Sequence, residues 1–432
     1  MGGGYTITIY RLTWNLTIII EFVEPKAQPL KGLKEVNTVN EHTGCPRVAY
    51  SFPYRIGAGR ICATAWHQVE GAALAGTSMN VLSGSVQRPF APSVKSHTTL
   101  SFGGARLPVR FLGTRRASQI HDWRAASWLE RNAAKVDLVH GWPLASLQTI
   151  RVAKRLGIPF LLERPNTHTA YAYQVSAEEC EIVGIGLPAG HDHHFDKRLL
   201  EHEEMEYEEA DFLLCPSDFV ARTFLERGFS DRRLLRHQYG YDNLRFLPGN
   251  QNAASGRGLV MIYVGVGEPR KGLHYALRAW LDSGAHVEGR FLVCGSFVPG
   301  YAERLGYLLD HPSVEILGHR DDVPQLMKES DLFVLPSVEE GSALVTYEAR
   351  GSGCVLLVSD GAGAVCRNGQ DAMVHPMRNA QILAEQIRRL DQDRLLLERL
   401  RARSLATLDQ ITWNAAGQKL MKLYSQVLAV SA

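Results

Sequence analysis

The chain predicts an α/β protein of two doubly wound domains, and three observations carry that prediction. Apolar runs of strand length alternate with amphipathic stretches, small-residue turns follow those runs, and a Gly-, Asn-, Ala- and Ser-rich segment at 249–258 separates two such series. A length of 432 residues suits two or three domains, and 45% hydrophobic content is enough for sizeable cores. The formal charge of +2, with Lys and Arg dispersed, argues against a nucleic-acid partner. Seven cysteines at 45, 62, 180, 215, 294, 354 and 366 form no CxxC pair and are odd in number, the pattern of free thiols in a reducing, cytoplasmic compartment.

Residues 1–45 read as an extension of unassigned structure. Tyr5 to Val23 is apolar but carries Arg11, Glu21 and several threonines, so it is no membrane span. It also lacks the basic start and small-residue cleavage site of a secretory signal. The N-terminal domain is placed at 46–250. Residues 47–84 give strand, glycine loop, helix and strand, with the loop at Gly57-Ala58-Gly59; a tight turn and a cleft-bordering loop are both open readings. Residues 135–171 give strand, helix, strand and loop. They put His140 and the stretch Glu163 to His168 at successive strand ends, where open parallel sheets bind ligands. Arg164 and Asn166 on that loop are candidate acceptor or sugar contacts. The cluster His191, Asp192, His193, His194 and Asp196 invites a metal reading, but its crowded spacing does not match a helical pair of ligands and no second cluster completes it. A solvent-exposed loop is expected there, and no metal.

The C-terminal domain is placed at 257–410. Residues 259–280 read as a strand, a short loop and an amphipathic helix, with Arg270 and Lys271 in the loop. The Arg270 guanidinium fork is suited to a phosphate, the alternative being a solvated basic pair. Residues 291–297 and 314–331 continue the βα series, with Gly295 and His319 at strand ends. Asp331 to Pro336 then reads as a buried parallel strand, and the pattern turns helical from Ala343. Backbone N–H groups of Gly341, Ser342, Ala343, Leu344 and Val345 would be the unpaired donors of a helix N-terminus, a cradle for a diphosphate. Glu340 precedes that helix and Glu348 lies more than a turn inside it, seven residues intervening. Two acceptor-only carboxylates so placed suit hydroxyl pairs on a sugar and on a ribose, although each glutamate alone also fits an ordinary αβ unit. A further strand, Cys354 to Ser359, ends in Asp360-Gly361-Ala362-Gly363 on the same sheet edge.

The stretch from Phe333 to Gly363 resembles the retaining GT-B glycosyltransferases of family 4, the glycosyltransferases group 1. The pattern PSxxEGxGLVxxEAxAxGxPVxxSxxGG is met at Pro336, Ser337, Glu340, Gly341, Leu344, Val345, Glu348, Ala349, Gly353, Val355, Ser359, Gly361 and Gly363. Ala343 and Ala362 stand where that family usually or often has Gly. Lys271 looks like the family's KG lysine, while Val266 occupies the place where many relatives carry an Arg. Ala210-Asp211, Ser217, Gly240-Tyr241-Asp242 and Phe246 to Pro248 match in order, and the segment 411–430 resembles the closing helix that crosses back to the first domain.

The resemblance implies a GT-B fold, two Rossmann-like domains facing across a cleft. It implies transfer of a sugar from a nucleoside-diphosphate sugar with retention at the anomeric carbon, without metal or cofactor. Arg270, Lys271 and the helix N-terminus would stabilise the departing diphosphate, Glu340 would hold the sugar and Glu348 the ribose. Gly295 would close over the nucleotide, and the strand end before His319 would meet the base, with His319 equally readable as a loop histidine. A histidine near the reacting sugar would be His168, with His140 second; a structural hydrogen bond is the other reading of His168. The Gly57–Gly59 loop would border the cleft. Polysaccharide or glycolipid synthesis is expected, on a saccharide or lipid-linked acceptor, with transient docking at the cytoplasmic face of the inner membrane. The rivals are a GT-B phosphorylase or epimerase, and a nucleotide-sugar-binding module without turnover.

Overall fold

In the computed structural model, residues 45–102, 105–106, 113–249 and 257–431 are described. The extension expected at 1–45 lies outside them apart from Cys45, as does most of the interdomain segment, residues 250–256.

The first half begins with β1 (Arg47–Ile56), whose residues are buried over most of their length because β1 is central in its sheet. There follow α1 (Ile61–Leu74), β2 (Ser78–Val86), β3 (Lys95–Thr98), the short hairpin β4 (Ser101–Phe102) and β5 (Ala105–Arg106), and α2 (Thr114–Asn132). Next come β6 (Leu138–Gly141), α3 (Leu147–Leu156), β7 (Phe160–Glu163), α4 (Thr169–Val183), α5 (Lys197–Glu209), β8 (Phe212–Cys215), α6 (Asp218–Leu225) and β9 (Leu234–Arg236). The sheet runs β3-β2-β1-β6-β7-β8-β9 with every ladder parallel. The order reverses beside β1, the kind of place where α/β sheets open a ligand crevice.

The second half holds β10 (Val260–Val264), α7 (Leu273–Ser283), β11 (Arg290–Cys294), α8 (Tyr301–Leu309), β12 (Val314–Gly318), α9 (Val323–Glu329) and β13 (Leu332–Leu335). It continues with α10 (Leu344–Gly351), β14 (Val355–Ser359), β15 (Ala372–His375), α11 (Ala380–Gln392) and α12 (Arg394–Leu405). Its sheet is also parallel, in the order β12-β11-β10-β13-β14-β15. β13 and β14 are buried from end to end, so their apolar runs do not alternate. Each fully buried Leu, Val or Phe there contributes about 1.5–3 kcal/mol relative to exposure.

The last helix, α13 (Trp413–Ser431), packs on α1 of the first half. Gly71 and Gly417 meet where they cross: a Cβ on Gly417 would overlap the Gly71 backbone, and one on Gly71 the Trp413 carbonyl. Leu420, Tyr424 and Val427 complete one face of the first sheet's core. The halves also meet directly. Val175 of α4 packs with Tyr275 and Val338, and the Tyr275 hydroxyl donates to Glu179 at 3.1 Å.

Candidate active site

The C-terminal contribution comes from two loops at the ends of β10 and β13. After β10 the chain makes a single 3-10 turn, Pro269–Lys271, closed by Gly272 in the left-handed region at φ 69°. A Cβ at Gly272 would overlap the Pro336 carbonyl, so glycine lets the two loops touch. Val338 N donates to the Arg270 carbonyl at 2.9 Å, stitching them together.

Side chains then cross the same gap. The Arg270 guanidinium reaches Glu268 Oε1 at 2.6 Å and Glu339 Oε2 at 2.9 Å, donates to the Glu339 carbonyl, and stands 3.4 Å from Glu340. Lys271 Nζ donates to Glu340 Oε1. Burial works against the Arg270 charge, but the carboxylates outweigh it and hold the group more firmly protonated than a free arginine. Burial likewise pushes Glu339 up, yet His193, Arg270 and Thr167 bring it well below the usual carboxylate range. Arg270, read as a phosphate fork, is therefore occupied by carboxylates; Lys271 is the cation that a phosphate can draw away from its partner.

Helix α10 starts beside this pair. Its cap residue, Ala343, offers no side-chain acceptor, so the amides of Leu344 and Val345 have no capping side chain, whereas Thr346 N is taken by the Ala343 carbonyl at 2.9 Å and Ala343 N, expected free, by the Ala362 carbonyl at 3.4 Å. Gly341 is pressed against the first domain: its carbonyl accepts from Ser217 Oγ at 2.5 Å, and a Cβ would overlap the Pro165 carbonyl. Ser342 Oγ bonds Tyr347 OH at 2.8 Å, which also receives Tyr239 N at 3.3 Å. Glu348 is half-buried, and burial, with Arg245 opposing and Asp242 adding, pushes its carboxyl up to about 7. Gly295 has φ 140° and a Cβ there would overlap the Gly265 carbonyl, so the loops after β10 and β11 lie in backbone contact. His319 follows β12 with an exposed ring 4.0 Å from Asp321.

The N-terminal domain faces these loops with a cavity of about 800 Å³ lined by Tyr54, Trp142, Asn166, Tyr173, His193 and Phe195, among others. Its floor adjoins the C-terminal site, because Thr167 Oγ1 donates to Glu339 Oε1 at 2.7 Å. Asn166 is exposed at the rim. Arg164 lines the cavity but is committed, paired with Glu203 at 2.9 Å and stacked 4.3 Å over Tyr207. Loop 184–196, between α4 and α5, crosses to the other domain: His191 Nε2 is 3.0 Å from Glu268 and His193 Nε2 is 3.3 Å from Glu339.

Residues 258–393 match the family described as glycosyl transferases group 1. This segment is a group 1 glycosyltransferase domain. The chain is 34% identical over 122 residues to the N,N'-diacetylbacillosaminyl-diphospho-undecaprenol alpha-1,3-N-acetylgalactosaminyltransferase of Campylobacter jejuni, covering 28% of this chain and 32% of that protein. It is 34% identical over 83 residues to the UDP-Gal:alpha-D-GlcNAc-diphosphoundecaprenol alpha-1,3-galactosyltransferase of Escherichia coli, covering 19% and 21%. These matches therefore span about a third and a fifth of the relatives' own length. The fold is that of Anabaena HepE in complex with UDP, with a TM-score of 0.59 at 14% identity over 88% of this chain and all of that one. The architecture is GT-B.

Besides the phosphate role read for Arg270, three expectations for the site are corrected by geometry. His140 is fully buried, bonded to Glu163 at 3.1 Å and Tyr424 at 2.7 Å, so it ties α13 to the sheet rather than reaching the cleft. His168 caps α4, its Nδ1 accepting from Ala170 N at 3.2 Å, with its ring against Tyr207 and Phe224. Burial, then Arg227 and Arg164, lower its pKa to about 3, and its one open edge faces α5 rather than the 800 Å³ cavity. Gly57 makes a tight turn at φ 83° against Arg88, and Tyr54 and Ile61 on either side of the Gly57–Gly59 loop line that cavity. The 191–196 loop is not simply solvated, since His193 is only 11% exposed against Glu339.

Glu339, Glu268 and Thr167 are residues for which sequence reasoning gives no role, and His191 and His193 read there only as part of a solvated loop. For Glu339 the signal was its adjacency to Glu340. For the histidines there was only their crowding, which spacing rules had set aside.

Proposed function

We propose that the chain transfers a glycosyl group from a nucleoside-diphosphate sugar to an acceptor held on the N-terminal side, with retention at the anomeric carbon and without a metal. The observation that carries this is the Lys271–Glu340 pair at the uncapped start of α10, next to Glu339, which contacts Thr167 and His193 of the N-terminal cavity lining. The donor diphosphate would take Lys271 from Glu340 and accept the first-turn amides of α10, so charge building on the leaving phosphate meets donors already in place. Glu340, released, would accept hydroxyls of the sugar, and Glu348 those of the ribose. Arg270 supports the loop through Glu268 and Glu339 instead of touching phosphate. No side chain is needed as a strong base, because the departing phosphate oxygen can take the acceptor's proton on the same face.

The acceptor is a lipid-linked saccharide in this reading, supported by the undecaprenyl-diphosphate substrates named for the relatives, and the setting is glycolipid or surface-polysaccharide synthesis. Among the cavity's aromatic rings Phe195 is exposed and Tyr54 half-buried, surfaces suited to a sugar ring. Among the described residues no helix is long and apolar enough to cross a membrane, so contact with a lipid carrier would be peripheral, at the cytoplasmic face. The test is a panel of UDP-, GDP-, ADP- and TDP-sugars incubated with short-chain polyprenyl-diphosphate saccharides. Proton NMR then reads the anomeric configuration of the product. A product with the donor's configuration supports the reading. Inversion, or cleavage that requires inorganic phosphate and no nucleotide, contradicts it.

A further inference from the structure

The two histidines of loop 184–196 belong to the N-terminal domain, yet both rings end on carboxylates of the other domain. His193 N donates to His191 Nδ1 at 3.1 Å, which makes that nitrogen an acceptor and leaves Nε2 to donate to Glu268 Oε2 at 3.0 Å. His193 Nε2 lies 3.3 Å from Glu339 Oε2. The same two carboxylates grip the Arg270 guanidinium, Glu268 at 2.6 Å and Glu339 at 2.9 Å. The contacts run His191, Glu268, Arg270, Glu339, His193 and return to His191 through the His193 amide, a closed circuit with three members from one domain and two from the other. Thr167, also N-terminal, adds a second hold on Glu339.

Two members of the circuit are chain neighbours of the donor-facing pair: Arg270 precedes Lys271 and Glu339 precedes Glu340. A movement of Arg270 or of Glu339 therefore passes to the donor end through one peptide unit.

We propose that His191 and His193 are positioning residues. They fasten Glu268 and Glu339 around Arg270 when the domains meet, and so set Lys271 and Glu340 at the right place opposite the acceptor cavity. This rests on the reading of Lys271 and Glu340 as donor contacts. In this role each acts through a carboxylate, Glu268 or Glu339, and both also line the N-terminal cavity. The histidines would change how often the site is assembled more than how tightly the donor binds, so the loss belongs in kcat.

The test uses the full chain with His193→Ala, His193→Gln and His191→Ala. Amide hydrogen exchange across 336–343, without substrate, should rise about tenfold in His193→Ala. The unfolding temperature should stay within a few degrees, and the amide of His193→Gln should restore slow exchange. In turnover, His193→Ala should lose about tenfold to a hundredfold in kcat with the donor KM little changed. Unchanged exchange at 336–343, or a loss confined to KM, overturns the proposal. If His193→Ala does not fold, His191→Ala carries the same two readouts. If the wild type shows no turnover with any nucleotide sugar, the donor reading has failed, and the exchange arm still decides whether the histidines lock this loop.

Discussion

The two domains approach one cleft by different means. The C-terminal domain presents short junctions pinned by glycines, Gly272 against Pro336, Gly295 against Gly265 and Gly341 against Pro165, so each site residue stands a few positions from the strand that places it. The N-terminal domain reaches in with the 184–196 loop and with Thr167, while the histidines at its strand ends are turned into the core. His140 joins Glu163, which also binds His237 at 3.0 Å and Tyr239 at 2.7 Å, in a buried network that anchors α13. In one domain the proposed donor contacts sit at strand ends. In the other, strand ends serve cohesion and a loop does the reaching, so position at a strand end is not sufficient evidence of a role.

The sharpest way to break this contrast is to remove the junction residues. Lys271→Ala and Glu340→Ala should each lower turnover about a hundredfold or more, measured as kcat with the preferred donor, while the unfolding temperature changes little. Near-normal kinetics in either variant would remove the C-terminal half of the comparison. Gly341→Ala should cost roughly tenfold in kcat/KM, because the added methyl must push Pro165 away and hold the domains apart. A fully active Gly341→Ala would mean that the observed contact is not used in turnover.

The N-terminal half predicts losses of stability in place of activity. His140→Ala should destabilise by about 2 kcal/mol, leaving Glu163 and Tyr424 short of a partner. His168→Ala should cost about 1 kcal/mol, the worth of a helix cap. Both should keep activity per folded molecule, read from urea unfolding beside initial rates. The smallest effect concerns Glu348. With its carboxyl pushed up to about 7, donor affinity should strengthen by up to about tenfold between pH 6 and 8 as the group becomes an acceptor for hydroxyls. The stability effect has the opposite sign. A carboxyl held above its unfolded value favours the folded state at low pH and loses that benefit as pH rises toward 7. Glu348→Gln should flatten both dependences.

Much of this is legible in the sequence. Parallel strands announce themselves as unbroken apolar runs, so β10, β13 and β14 and the helices after them could be located. The spacing of Glu340 and Glu348 is set within one βα unit, and local patterns show what is local. The partner of Glu339 is 146 residues away in His193, and no periodicity records that distance. Arg270 was legible as a cation but not as one already claimed, because Glu268 and Glu339 reach it only when two loops fold together. His168 reads both ways in the sequence, because a capping histidine and a catalytic one look alike at the start of a helix, and the structure shows the cap.

The most direct test of the central claim, that Lys271 and the start of α10 hold a nucleoside diphosphate, is calorimetric binding of UDP, GDP, ADP and TDP to the wild type and to Lys271→Ala without added metal. Selective binding of one nucleotide, accompanied by thermal stabilisation and lost in the variant, is the predicted result. No binding by any of them, or equal binding by both proteins, would contradict the account.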